Sequence, residues 1–185
     1  MSSLVISGDT SGTVSLTAAA IAGSNTITVQ AATGTMSVNT LATAVASTSG
    51  TSIDFISLPS WVKRITVMFS GVSTNSTSNY LIQLGTGSTT FTTSGYVSSC
   101  RSATSTAGFL VVDTPTAASL ASGALTLTNL SGNTWVSSGV LQLSGGSTYQ
   151  SAGVIALGAG LTAVRITSVT PDTFDAGSVN ILYEG

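Results

Sequence analysis

The chain has 185 residues, of which only 5% are Asp, Glu, Lys or Arg, against roughly a quarter in an ordinary soluble domain, and it contains no His. Four cations, six anions, one thiol and no imidazole leave little for acid–base chemistry at neutral pH. A net charge of −2, with Lys63-Arg64 as the one adjacent pair of cations, cannot build a phosphate-neutralising groove, so nucleic acid is excluded as a partner.

Solubility falls instead to Ser, Thr, Asn and Gly. Charge is depleted at interface cores, so its scarcity points to a surface that meets other copies or other proteins; a monomer with a neutral hydroxyl-rich surface is the alternative. The first ten residues lack the cationic start and apolar core of a secretory signal, and no stretch approaches 18 apolar residues. The expectation is synthesis in the cytoplasm without membrane insertion.

From residue 1 to 49 the chain offers short β-prone runs at 4–6, 13–17 and 26–30, cut by Gly8, Gly12, Gly23 and Gly34. Their apolar residues are mostly small, as at Ala18 to Ala20 and Ala31-Ala32, so this segment needs neighbours to supply a hydrophobic face. Leu41, Ala42, Ala44 and Val45 could cover one side of a helix over 40–46, but the run is too short to hold alone and reads as a connector.

The aromatic residues, both Trp and all three Pro fall after Gly50. In residues 64–70, Ile65, Val67 and Phe69 fall on one face and Arg64, Thr66 and Ser70 on the other, the period of a half-buried strand. Similar runs recur at 52–56, 80–84, 108–112, 124–130, 134–143, 154–157, 163–168 and 178–183. About nine strands with Gly- and Ser-rich turns, and no convincing amphipathic helix, predict an all-β fold. Its architecture is an antiparallel β-sandwich, jelly-roll-like, over 50–185, preceded by an extended β segment over 1–49.

Each chemically suggestive feature has a plain structural alternative. Asp172 and Asp175 could serve as a glycosidase carboxylate pair, or could belong to a turn in which Pro171 leads, Asp172 caps its own backbone and Gly177 closes before the last strand. Arg165 is placed to reach one of them. No Gly-x-Ser-x-Gly elbow surrounds any serine, and with no His a serine nucleophile has no base. Gly85-Thr86-Gly87-Ser88 lacks the Lys and following helix of a phosphate cradle and reads as a loop. Asp9, Asp54, Asp113 and Glu184 are too dispersed to support a metal.

Cys100 offers neither a disulfide partner nor a zinc set, and reads as a small strand residue. Trp61 and Trp135, flanked by alternating apolar residues, read as core. They, with Tyr80, Tyr96, Tyr149 and Phe91, would stack on sugar rings only if exposed. Asn75-Ser76-Thr77 and Asn129-Leu130-Ser131 match the glycosylation pattern at the level chance allows in so Ser/Thr-rich a chain. The residues thus supply no catalytic, cofactor-binding or metal site.

One resemblance is specific. Leu58-Pro59-Ser60-Trp61-Val62-Lys63-Arg64-Ile65-Thr66-Val67-Met68-Phe69-Ser70-Gly71-Val72-Ser73 resembles a module of structural proteins in tailed bacteriophages and prophages. The likeness continues through Ser78-Asn79-Tyr80-Leu81-Ile82-Gln83-Leu84-Gly85, Ser94-Gly95-Tyr96, Ser131-Gly132-Asn133-Thr134-Trp135-Val136-Ser137-Ser138-Gly139 and Val164-Arg165-Ile166-Thr167. It ends in Asp172-Thr173-Phe174-Asp175-Ala176-Gly177-Ser178-Val179-Asn180-Ile181-Leu182-Tyr183-Glu184. Gly12 to Leu16 with Ala22 to Gln30 and Ala32 to Thr35 is similar to a repeat-like element of phage fibres, except that Gln30-Ala31 stands where a Pro usually follows the second strand.

The resemblance implies a non-enzymatic virion protein without cofactors or metal, assembled in the host cytoplasm. It implies a tail fibre or adhesin component that attaches to other virion proteins through the N-terminal segment, with a host-surface glycan as a further candidate partner; a homotrimer is expected because three copies can close the sheet that the Ala-rich N-terminus of one copy leaves with open edges. A capsid decoration or head fibre protein is the alternative, and a sugar-cleaving spike a third reading.

Overall fold

The computed structural model describes residues 3–7, 13–17, 37–117 and 119–185, and among these there is no helix. The chain divides into two compact units, Met1–Met36 and Ser37–Gly185. In the first, β1 (Ser3–Ser7) and β2 (Thr13–Thr17) pair antiparallel, with Leu4 opposite Leu16 and Ile6 opposite Val14. The expected strand at 26–30, the small apolar runs at 18–20 and 31–32, and Asp9 lie outside the described residues.

The second unit opens with two short strands, β3 (Asn39–Leu41) and β4 (Val45–Ala46), then β5 (Ile53–Phe55), β6 (Arg64–Thr74) and β7 (Tyr80–Gly85). A small hairpin follows, β8 (Val97–Cys100) and β9 (Ala103–Ser105), and then β10 (Phe109–Val112). Three long strands form a meander, β11 (Ala121–Ser131), β12 (Thr134–Leu143) and β13 (Thr148–Ala156), before β14 (Ala163–Ser168) and β15 (Phe174–Glu184).

All pairings are antiparallel, in two sheets. One has the order β10-β7-β14-β5; the other runs β3-β15-β6-β11-β12-β13-β8-β9, with β4 also on β15. Taking β3 and β4 as one broken strand and setting aside β8-β9 and β12-β13, eight strands remain. In chain order they lie 1-8-3-6 in one sheet and 2-7-4-5 in the other, the double Greek key of a jelly roll. The two hairpins are insertions, both added at the β11 edge of the larger sheet. The jelly-roll-like sandwich expected from strand spacing is the fold observed.

The core lies between the sheets. Ile65, Val67 and Phe69 of β6 are buried, flanked in register by Val179 and Ile181 of β15 and by Leu125 and Leu127 of β11. Each such side chain contributes about 1.5–3 kcal/mol when fully buried. The smaller sheet supplies the opposing layer, and there alternation gives way: all residues of β7 and of β10 are buried. Strands covered on both faces read as continuous apolar runs, as 109–112 does; 80–84 is broken only by Gln83, whose Nε2 donates to the Ala107 carbonyl oxygen at 3.0 Å.

Three expectations are corrected. The sandwich unit begins at Ser37 and not at Gly50, because β3 and β4 hydrogen-bond to β15, Val38 exchanges backbone hydrogen bonds with Gly185, and Ser47 Oγ donates to Ala176 O at 2.6 Å. Residues 40–46 are accordingly edge strands, not a connector. The hairpin β8-β9 carries too many serines to declare itself by hydrophobic period, yet Tyr96, Ser98 and Cys100 are buried beneath it.

Gly177 does not close a turn before the last strand: it sits inside β15, where the register with β6 shifts twice. Its φ is +89°, and a Cβ there would lie 2.3 Å from the Gly71 carbonyl oxygen, so only glycine fits the bulge.

Candidate functional site

Every described carboxylate is engaged with its neighbours. Arg165 on β14 faces Asp54 on β5, with Nε donating to Oδ1 at 2.8 Å and Nη2 to Oδ2 at 2.7 Å. Those bonds raise the Arg165 pKa above its ordinary value, and the guanidinium carbon stands 3.9 Å from the centroid of the Phe91 ring. Arg165 therefore pairs with Asp54 and not, as the sequence suggested, with Asp172 or Asp175. Arg64 and Glu184 pair across β6 and β15 at 3.4 Å. Asp113 accepts from Asn79 Nδ2 at 3.3 Å.

Asp172 accepts from the Ser78 N–H at 3.2 Å, while its own N–H donates to Ser168 Oγ at 3.0 Å; it ties two loops together without capping its own backbone. Asp175 accepts from Ser73 Oγ on β6. These two carboxylates are thus held by different partners, one in a loop and one in a strand. Gly85 ends β7 and residues 86–89 bend away as a loop. Among the described residues no group of three or more His, Cys, Asp or Glu could hold a metal ion.

Cys100 is buried, its Sγ 3.5 Å from the Val111 carbonyl oxygen, and burial pushes its pKa up to about 11; it is a core thiol, not a nucleophile. Tyr96 is buried and accepts from the Leu84 N–H at 2.7 Å, and burial pushes its pKa up to about 12. Tyr80, Tyr149 and Trp135 are buried as well. Trp61 is not: the expectation of a core residue fails because its ring lies over Tyr183, with centroids 5.8 Å apart, and keeps 38% of its surface exposed.

What the fold presents instead is a surface, the outward face of the larger sheet. Residues opposite each other in register share a face, so rows can be followed across it. One row passes from Leu41 on β3 through Leu182, Thr66, Thr126 and Ser138 to Ala152 on β13. The next passes from Arg64 through Thr128, Val136 and Val154 to Val97 on β8. Small hydroxyls and methyls dominate, and the Arg64–Glu184 pair is the only charge in either row.

Two shallow grooves lie at the far end of this face. One, of about 450 Å³, runs between Ser138, Val140, Gln150 and Ala152; the other, of about 590 Å³, is walled by Val97, Thr104, Ala152 and Val154. Val97 is 71% exposed. At the end of the sandwich a smaller recess of about 130 Å³ is bounded by Lys63, Asn133, Trp135 and Thr162.

Sequence reasoning did not place Val97, Val136 or Val154 on a common surface, and read Leu41 as part of a connector. The available signal was parity: once Tyr96, Ser98 and Cys100 point inward, Val97 must point outward, a lone Val on an otherwise polar side. No family model, no curated protein and no solved structure matches the chain.

Proposed function

We propose that this is a non-enzymatic structural protein of a tailed-phage virion, a homotrimer whose sandwich unit is displayed on the particle and whose N-terminal segment contacts other virion proteins. The observation that carries the reading is the broad, almost uncharged outer face of a jelly-roll sheet. Such a face is suited to burial against protein, since charge is depleted at interface cores and exposed apolar patches mark interaction sites. Jelly rolls recur in viral capsid and lectin domains, which adds support by fold analogy alone. The motif resemblance from Leu58 to Ser73 and from Asp172 to Glu184 supports the virion context. Among the described residues the carboxylates are all engaged in structural contacts and the one thiol is buried, which fits a passive part better than an enzyme.

The test is the composition of particles purified from a host carrying the gene. Peptides of this chain should be present in a copy number divisible by three, few per particle for a fibre and hundreds for a shell decoration. Abundance in the lysate with absence from purified particles would overturn the reading.

A further inference from the structure

The two inserted hairpins build a concavity of their own. The groove of about 450 Å³ is bordered by Ser99 and Arg101 from β8 and its turn, by Ser138 and Val140 from β12, and by Gln150 and Ala152 from β13. The eight strands of the jelly roll contribute nothing to its walls. A fold that is complete without the insertions, and insertions that shape a groove, fit the general rule that sites are grafted onto folds.

Arg101 holds an unusual backbone position at the end of this groove. It is the first central residue of the two-residue turn between Cys100 and Ala103, which pair across β8 and β9, and its φ is +53°. Glycine, asparagine or aspartate is preferred there, and an arginine carries backbone strain. Among the described non-glycine residues with positive φ, which are Ser57, Arg101 and Thr114, Arg101 alone is charged. Its surroundings hold it in place: its N–H donates to the Gln150 carbonyl oxygen at 3.2 Å, and its guanidinium carbon lies 4.9 Å from the centroid of the buried Tyr149 ring.

Its charge is also unmatched. Arg64 and Arg165 each pair with a carboxylate, whereas among the described residues Arg101 pairs with none, and no Asp or Glu borders the groove. A guanidinium laid against an aromatic ring keeps its in-plane N–H donors free, as a fork that fits a carboxylate bidentately. Beside it the Ser99 and Ser138 hydroxyls and the Gln150 amide offer donors and acceptors, next to the methyl groups of Val140 and Ala152. The volume falls within the range of about 300–1,000 Å³ usual for small-molecule sites. The matching ligand is a carboxylate carried on a small hydroxylated skeleton with an apolar side.

We propose that this groove binds a sugar acid of the hexuronate class, its carboxylate on the Arg101 guanidinium and its hydroxyls on Ser99, Ser138 and Gln150. The groove is formed within one chain, so the inference does not depend on the trimeric reading above.

Titration of the ¹⁵N-labelled full chain with sodium glucuronate, followed through amide chemical shifts, tests it, with glucose and sodium acetate as separate probes at matched ionic strength. Glucuronate should give saturable shifts centred on Ser99, Arg101, Ser138 and Gln150. Its half-saturating concentration should lie at least about tenfold below that of either other probe, the effect of one charge-assisted hydrogen-bonded pair. Arg101→Gly should stay folded by circular dichroism, since glycine suits the turn, and should lose the preference for glucuronate over glucose. Gln150→Ala, at an exposed position, should weaken glucuronate severalfold and leave acetate unchanged. Acetate binding as well as glucuronate would mean that the groove takes a bare carboxylate, such as a protein side chain presents, and would overturn the sugar acid. Glucose binding as well as glucuronate, or parent affinity in Arg101→Gly, would overturn the role of Arg101. Parent affinity in Gln150→Ala would overturn the hydroxyl contacts, and saturation by none of the three probes would overturn the site.

Discussion

Arg165 and Asp54 sit directly opposite each other on β14 and β5 and share two hydrogen bonds, with the guanidinium laid over Phe91 on its other side. In a chain with so few charges this pair fixes the register of the edge strand β5, which has only three residues to hold it. Both partners are about 30% exposed, so solvent screens much of the attraction.

Asp54→Ala should therefore cost no more than about 1 kcal/mol in thermal melts. Arg165→Ala should cost more, because it also uncovers Phe91. Equal costs would show that the aromatic contact adds nothing.

Phe69→Ala should destabilise by about 3–5 kcal/mol, since the ring is enclosed between Val179 and the opposing sheet and its loss leaves a cavity. Thr66→Ala, on the outward face three positions earlier, should stay within about 0.5 kcal/mol. A larger loss at Thr66 than at Phe69 would mean that the two faces of β6 are exchanged.

Stability should be level through neutral pH and fall above about 9. The Cys100 thiol has an ordinary value near 9 and a folded value of about 11; Tyr96 moves from 10 to about 12. Both pKa values are raised on folding, so the unfolded chain loses these protons first. The stabilisation is whole below the ordinary values and disappears as pH climbs through the folded ones. Cys100→Ala should delay the onset of alkaline destabilisation by about a unit, to the range set by Tyr96. Urea melts from pH 7 to 11 would reveal this, and an unchanged onset would exclude the thiol as its source.

Removing residues 1–36 should leave a cooperatively melting domain, because Ser37–Gly185 has its own core. Removing 1–49 should lower the melting temperature clearly, since β15 then loses β3, β4 and the Ser47 Oγ hydrogen bond to Ala176. Identical melts for the two truncations would show that β3 and β4 contribute nothing.

Strands long enough to show a period were legible in the sequence. Arg64 to Ser70 alternates cleanly, and residues 134–143 and 163–168 coincide with β12 and β14. Short edge strands were not, because β3 and β4 have five residues between them and owe their extended form to β15 rather than to local preference. The start of β13 was missed for a related reason: Thr148, Gln150 and Ala152 look outward, and the residues between them that look inward include Ser151 and Gly153 beside Tyr149. Gly153 is small because a Cβ there would lie 2.8 Å from Phe109 Cδ1.

Pairing was illegible for a different cause. Arg165 was free, in one dimension, to meet the nearby Asp172 and Asp175, and only the sheet order brings Asp54 to it from 111 positions away. The candidate surface was hidden in the same way. Val97, Val154 and Val136 are ordinary residues apart in sequence, and three separate hydrogen-bonded strands are needed to place them in one row.

The position of β15 sets the order in which the molecule can be completed during synthesis. It lies between β6 and the pair β3 and β4, yet begins about 100 residues after β6 ends. At roughly 5–20 residues per second, a ribosome needs on the order of 5–20 s to deliver it. Over that interval β11 can take one margin of β6, while the other stays unclaimed, with Ile65, Val67 and Phe69 only partly enclosed. The nascent chain must pass that time without another copy's strand entering the gap, and a polysome carrying several such chains is where a swapped assembly would begin.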